Sequence, residues 1–228
     1  MEKKKEHPKP AVTVDIVIFT LKEDELKVLL VKRGLEPFRG KWALPGGFIK
    51  INESLEDAAA RELLEETGVK ADYLEQLYTF GDLGRDPRDR VITVTYFALL
   101  KSEKVNLTAS TDVSDVKWFS AYDIPELAFD HKKILEYATK RLRWKFEYTT
   151  IAFSVLAEKF TLSSLQKIYE IIFNKNFDKR NFRKKIISLG VVKQTKEKIK
   201  EVSYRPPKLY TFIGKIGDII TIFKDEVK

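Results

Sequence analysis

The chain reads as an α+β protein in two parts, a layered strand-and-helix domain followed by a small basic domain of helices and strands. Three observations predict this. β-branched apolar runs at 12–21, 27–33 and 91–100 bracket one stretch rich in helix formers, SLEDAAARELLEET at 54–67. Near residues 144–160 the pattern changes to two short capped helices and two strand-like segments. Charge is also segregated. Residues 174–208 hold twelve Lys/Arg against three Asp/Glu, a balance of +9 that leaves −1 for the rest of the +8 chain.

Composition narrows the function classes. With 228 residues and 43% hydrophobic content the chain can bury a real core. The absence of cysteine excludes a disulfide scaffold, cysteine zinc ligands and a thiol nucleophile. No apolar run approaches the roughly 18 residues that span a bilayer. The N-terminus MEKKKEHPKP lacks the apolar run of a signal peptide. A cytoplasmic protein with no membrane partner is expected.

Taken in order, VTVDIVIFTL (12–21) and KVLLVKR (27–33) are predicted strands joined by a KEDE hairpin turn. EPFRGKWALPGGF (36–48), dense in Gly and Pro, is predicted loop. In the helix that follows, Ser54 is the N-cap with Asp57 three residues on, and Gly68 marks the stop. YLEQLYTFG and VITVTYFALL (91–100) return to strand around the arginine-rich turn GRDPRDR. DVKWFSAYDIPELA is a short strand, then loop. FDHKKILEYATKRLRWKF (129–146) is a helix with a basic end. Thr161 caps an amphipathic helix over 161–173, and Asp178 caps another that ends at Gly190. VVKQ and KLYTFI (208–213) are strands.

The first helix carries Glu62, Glu65 and Glu66. At 100° per residue these three span about a quarter of the circumference. Like charges so placed repel, and a divalent cation turns the repulsion into attraction; carboxylate oxygens suit Mg²⁺ or Mn²⁺. ELLEE alone is more often a plain solvated face. The surrounding residues decide otherwise. Gly47, Glu53, Arg61, Glu62, Leu63, Glu65, Glu66, Gly68 and Val69 fill every fixed position of a 23-residue pattern, and here the sequence resembles the Nudix hydrolases. The resemblance implies an α/β/α sandwich bearing a loop–helix–loop. It also implies metal-assisted cleavage of a nucleoside diphosphate derivative, with Glu62 and Glu66 as first-choice metal ligands and Glu65 as a third or as the group orienting metal water. Arg61 is expected to bond a glutamate such as Glu53 and hold the loop. Gly46 and Gly47 are expected to let backbone approach phosphate. Arg85, Arg88 and Arg90 can grip phosphates or a ribose, or can be surface charges of a hairpin. The general base stays unassigned.

In the basic segment Phe182, Ile186 and Leu189 form one apolar helix face, with Arg180, Arg183 and Lys184 roughly opposite. Helix, turn and helix resemble a helix-turn-helix, and the strands after it make it winged. An arginine of this helix, such as Arg183, can pair with guanine edges, and Asn181 can read adenine. Lys184 is expected to meet phosphate, and Thr161, Lys179, Arg180, Arg205 and Lys208 to complete the DNA-binding set. The bland alternative is a solvated basic helix. Both halves together resemble the Nudix-related transcriptional regulators of NAD metabolism, through RGLEPFRGKWALPGGF, LEQLYTFGDLGRDPR, LAFDH, EKFTLSSLQKIYE, DKRNFRKKI and RPPKLY. The resemblance implies a Nudix domain over 1–148 that senses or hydrolyses ADP-ribose or a related nucleotide. It implies a winged helix over 149–228 that binds double-stranded operator DNA as a homodimer. Many members of that group have a broken Nudix box, and this box is intact.

Overall fold

A computed structural model describes residues 9–68, 70–71, 73–101, 113–198 and 207–222. Strands β1 (Ala11–Lys22) and β2 (Glu25–Arg33) form a hairpin whose turn residues Glu23 and Asp24 both have positive φ, 56° and 59°. That is the turn geometry matching the right-handed twist of the strands. The stretch expected to be plain loop contributes two short strands, β3 (Trp42–Ala43) and β4 (Gly46–Phe48). β4 pairs with β1 through Thr13↔Phe48, Val14↔Gly47 and Asp15↔Gly46. Helix α1 (Leu55–Thr67) follows, then β5 (Tyr73–Phe80), β6 (Val91–Leu100) and β7 (Val113–Ser120). The sheet runs β3-β2-β1-β6-β5, with β1 and β6 parallel at its centre; β7 pairs with β2.

The central strands are buried on both faces, so their side chains alternate between two cores. Val14, Ile16 and Ile18 of β1 pack with Ala58, Ala59 and Leu63 of α1. Val17 and Phe19 face the other way, toward Ile134, Leu135, Ala138, Leu142 and Phe146 of helix α2 (His131–Tyr148). That spacing is the 3.6-residue period of one helix face. The result is an α/β/α sandwich.

A 3₁₀ turn (Thr150–Val155) leads to α3 (Leu162–Phe173) and α4 (Lys179–Ser188), then a two-stranded wing of β8 (Val192–Lys198) and β9 (Lys208–Phe212). Thr161 and Ser164 form a reciprocal capping box, and Asp178 Oδ1 accepts from the Asn181 amide at 2.9 Å. The α3–α4 turn is sewn by Glu170, whose Oε1 accepts from the Phe177 amide and from Gln166 Nε2. The α2-side core is continuous across the junction, reaching Tyr169, Phe182, Ile186 and Tyr210. Residues 213–222 return to that junction. Ile220 and Ile222 donate backbone hydrogen bonds to Tyr148 and Glu147, and the Ile222 side chain is fully buried. Among the described residues no helix is long and apolar enough to cross a membrane.

Candidate functional site

Ser54 and Gly68 fix the ends of α1 as the sequence suggests. Ser54 Oγ accepts from the Asp57 amide at 3.1 Å, and Gly68 adopts φ 71° with its amide bonded to Leu64. The cap sets the helix phase, and Ala58, Ala59 and Leu63 anchor it on the sheet. The opposite face then presents its glutamates to the β3–β4 segment. Arg61 is the hub. Its Nε and Nη2 form a fork on Glu53 at 2.9 and 2.7 Å, its Nη1 reaches Glu62 at 2.7 Å and Glu65 at 3.1 Å, and Nη2 also reaches the Phe48 carbonyl at 3.3 Å. The fork holds the Glu53 carboxyl down to about 2, helped by the Lys50 amide.

Glu66 points the other way, accepting from the Gly46 amide at 2.9 Å. Burial pushes its carboxyl up to about 8, and the nearby charges of Glu62 and Asp15 add to the effect. Burial also raises Glu62, against the pull of Arg61. Two desolvated carboxylates one helical turn apart form an all-oxygen donor set that suits a hard divalent cation. Glu65 is more exposed and leans on Arg61. Among the described residues no three His, Cys, Asp or Glu side chains converge on one point, so the three glutamates do not form a ready-made cage. The glycines also serve the packing of the site itself. A Cβ on Gly47 would lie 2.4 Å from Glu62 Oε1, and one on Gly46, at φ 156°, would lie 2.2 Å from the Val14 carbonyl. Their lack of a side chain lets β4 lie between β1 and the glutamate helix. Val69, the last position of the box, lies outside the described residues.

Beside this helix a cleft of about 180 Å³ is lined by Asp15, Arg33, Gly46, Gly47, Phe48, Glu66, Arg85, Arg88, Phe129 and His131, among others. Its guanidinium groups differ in commitment. Arg85 is no surface charge of a hairpin. It is buried, bonded to Asp130 at 2.8 and 3.1 Å and to Asp15 at 3.3 Å. Arg88 is partly exposed, paired with Asp86 at 2.7 Å, and stands 5.5 Å over Phe48 and 5.7 Å over Phe129. Arg90 donates to the Asp82 carbonyl and lines no part of the cleft. Arg33, which sequence reasoning missed, donates Nε to the Pro37 carbonyl and stacks 4.8 Å from the Phe129 ring. Among the described residues it has no carboxylate within salt-bridge distance. Burial, and then repulsion from Arg88, lower its pKa against the pull of Asp86, Glu66 and Asp15. One arginine at a strand end carries no sequence signal for this; only the fold turns it inward. His131 is buried and depressed by desolvation, hence neutral. Its Nδ1 accepts from the Leu44 amide at 2.9 Å, which leaves the proton on Nε2, 3.7 Å from Asp15.

On the winged helix, Lys179, Arg180, Asn181 and Lys184 are exposed on α4, and Lys208 is exposed at the start of β9. Thr161 spends its hydroxyl on the α3 cap. Arg183 is half-buried and donates to Ser163 Oγ at 3.0 Å, bracing α4 against α3. Arg205 lies outside the described residues.

The sandwich, the glutamate helix and the basic winged helix define a Nudix-type domain joined to a DNA-binding one. Residues 9–138 match the NUDIX domain and residues 152–212 the NrtR DNA-binding winged helix domain, and the chain belongs to the family that combines them. It is 40% identical over 213 residues to the ADPR responsive transcriptional repressor NtrR of Acinetobacter baylyi, spanning 92% of this chain and 84% of that one. It is 39% identical over 136 residues to the ADP-ribose pyrophosphatase of Methanocaldococcus jannaschii, spanning 60% of this chain and 75% of that one. Among solved structures, Shewanella oneidensis NrtR complexed with a 27mer DNA superposes with a TM-score of 0.77 at 40% identity, covering 89% of this chain and 93% of that one. The NUDIX domain of the same protein, complexed with ADP ribose, gives 0.57 at 43% identity, covering 62% and 94%.

Proposed function

We propose that this chain is an ADP-ribose-responsive transcriptional repressor acting in the cytoplasm. Its Nudix domain, residues 1–148, binds the nucleotide, and its winged helix, 149–228, binds double-stranded operator DNA as part of a homodimer. The observation that carries the reading is the pairing, in one chain and one continuous core, of a cleft lined by Arg33 and Arg88 and a helix with exposed Lys179, Arg180 and Lys184. The cleft suits a pyrophosphate with flanking riboses. Arg33 and Arg88 offer donors to phosphate oxygens, and the Phe48 and Phe129 rings offer apolar faces to a base or sugar. On α4, the exposed Asn181 and Arg180 would read base edges, and Lys184, with Lys208 at the start of β9, would meet phosphates. The test is operator binding measured with and without ADP-ribose. A five- to 150-fold change is expected, the usual range of coupling between sites. Unchanged affinity at saturating ligand would sink the reading.

A second activity is favoured by the intact box and by the desolvated pair Glu62 and Glu66: hydrolysis of ADP-ribose to AMP and ribose 5-phosphate. Those two residues would hold Mg²⁺ or Mn²⁺, with Glu65 at the rim; such an ion would supply charge neutralisation for a pyrophosphate and a more acidic water. The chain's own share is positional. Arg61 and Glu53 hold the glutamate helix against β4, and Arg33 orients the anion. Nucleotide products measured after incubation with either metal decide it.

A further inference from the structure

We propose that the tripeptide Phe129–Asp130–His131, where α2 begins, is the element that passes pocket occupancy to the DNA-binding domain, and that the Arg85–Asp130 ion pair is the bond the nucleotide competes for. The proposal rests on the ligand-responsive reading above and names its working part.

Asp130 occupies the N-cap position of α2, yet its side chain makes no capping hydrogen bond. An N-cap aspartate ordinarily accepts from the second or third amide of its helix, from an extended backbone. Here φ and ψ are −92° and 19°, and both carboxylate oxygens are turned away to Arg85. The helix start thus forgoes its cap for as long as the ion pair stands. Phe129 has φ 52°, a conformation rare for a bulky residue, and its ring is held in the cleft wall by Arg33, Arg88 and Phe38. His131 accepts from Leu44, two residues before the Gly46 amide that binds Glu66. Each of the three residues is therefore tied to a group that lines the cleft.

Arg85 can change partners without being left unpaired. It has two carboxylates within reach, and Asp15, on the rigid central strand, stays beside it. A pyrophosphate entering the cleft adds negative charge next to Arg85 and repels Asp130. The released carboxylate, with its backbone turning to the extended form of a cap, can then accept from the amides of Lys132 and Lys133. That gives two discrete arrangements of one element, biased by ligand.

The far end of α2 packs against the DNA-binding half. Phe146 stacks edge-on to Tyr169 of α3 at 5.5 Å, and Arg143 Nε and the Tyr122 hydroxyl both donate to the Ile172 carbonyl at the end of α3. Residues 218–222 bond to Glu147, Tyr148 and Thr150. A shift where α2 begins is carried along the rod to the winged helix.

The test uses the full chain without divalent metal, so that ADP-ribose survives. Operator affinity is measured with and without the nucleotide for the wild type, Asp130→Asn and Asp130→Ser, and nucleotide affinity by calorimetry. In both variants the operator response should collapse to within about twofold, with nucleotide affinity kept or raised several-fold because no ion pair need break. In the wild type, exchange at the amides of Lys132 and Lys133 should slow when ADP-ribose is added, as the cap forms. A wild-type-sized response in either folded variant, loss of nucleotide binding in the variants, or unchanged exchange at Lys132 and Lys133 would overturn the proposal. A wild type that binds ADP-ribose but shows no operator response sinks the sensor reading itself.

Discussion

Arg61 and Lys184 both stand on helices and both carry positive charge. Arg61 is wrapped by Glu53, Glu62, Glu65 and the Phe48 carbonyl, with only 18% of its side chain exposed. Lys184 projects into solvent. The same contrast holds for the surroundings. The buried Asp15, Arg85 and His131 cluster with the half-buried Asp130, while Lys179, Arg180 and Lys208 are exposed. One half uses charge as fixed geometry in low dielectric, and the other as a mobile field for a polyanion. The comparison teaches that the two kinds of charge should respond differently to salt, substitution and pH.

The largest expected difference is in salt. If the winged-helix dimer makes six to ten phosphate contacts, operator affinity should fall about 10³–10⁵-fold between 50 and 200 mM salt. ADP-ribose binding in the cleft should change by less than roughly tenfold, because buried pairs are screened little. Equal slopes in parallel titrations would erase the distinction. Next comes Glu66→Gln, which should cut metal-dependent hydrolysis by on the order of 10²–10³-fold, the scale of losing one preorganised electrostatic group, while operator binding without nucleotide stays put. Arg33→Ala should weaken ADP-ribose by about ten- to 100-fold, the worth of one charge-assisted bond, and a calorimetric titration reads it directly.

What the sequence disclosed follows the same divide. Strands β1, β2 and β6, helix α1 with Ser54 and Gly68, and the caps of α3 and α4 were legible because period and cap are local. β3 and β4 were not, since strands of two and three residues exist only through register with β2 and β1. Arg85 was left open between phosphate grip and surface charge. Its partners Asp130 and Asp15 lie 45 and 70 residues away, beyond any local pattern. Arg33 was invisible for the same reason, and nothing local announced that residues 213–222 return to α2. The exposed cations of α4 were legible because exposure leaves them where helix phase puts them.

A pH series sharpens the buried side. The Glu66 carboxyl is near 8 in the fold, against 4.5 as its ordinary value. The metal-free fold therefore binds this proton more tightly than the unfolded chain does. Its contribution to stability is full below about 4.5 and is lost as pH rises toward 8. Glu53 works in the opposite sense: its contribution is present above 4.5 and is lost as pH falls toward 2. Denaturant midpoints in chelator should show the alkaline loss, Glu66→Gln should flatten it, and Mn²⁺ should restore stability more at pH 8.5 than at pH 6, because binding requires the deprotonated carboxylate. No alkaline slope in the wild type would mean Glu66 is better solvated than its burial implies.

The smallest effect separates two neighbours on α4. Lys184 is exposed, so Lys184→Ala should reduce the slope of log affinity against log salt by about 0.9, one released counterion, and weaken all sequences alike. Stability should be untouched. Arg183 braces Ser163 at 3.0 Å and is half-buried. Arg183→Ala should cost about 0.5–1.5 kcal/mol of stability, one hydrogen bond, before any effect on DNA. If Arg183 swings out to read a base, operator discrimination should also drop, and Ser163→Ala should leave discrimination intact while reproducing the stability loss. If Arg183→Ala lowers affinity for random and operator DNA equally, Arg183 is a brace and a phosphate contact. Base reading on α4 would then fall to Arg180 and Asn181.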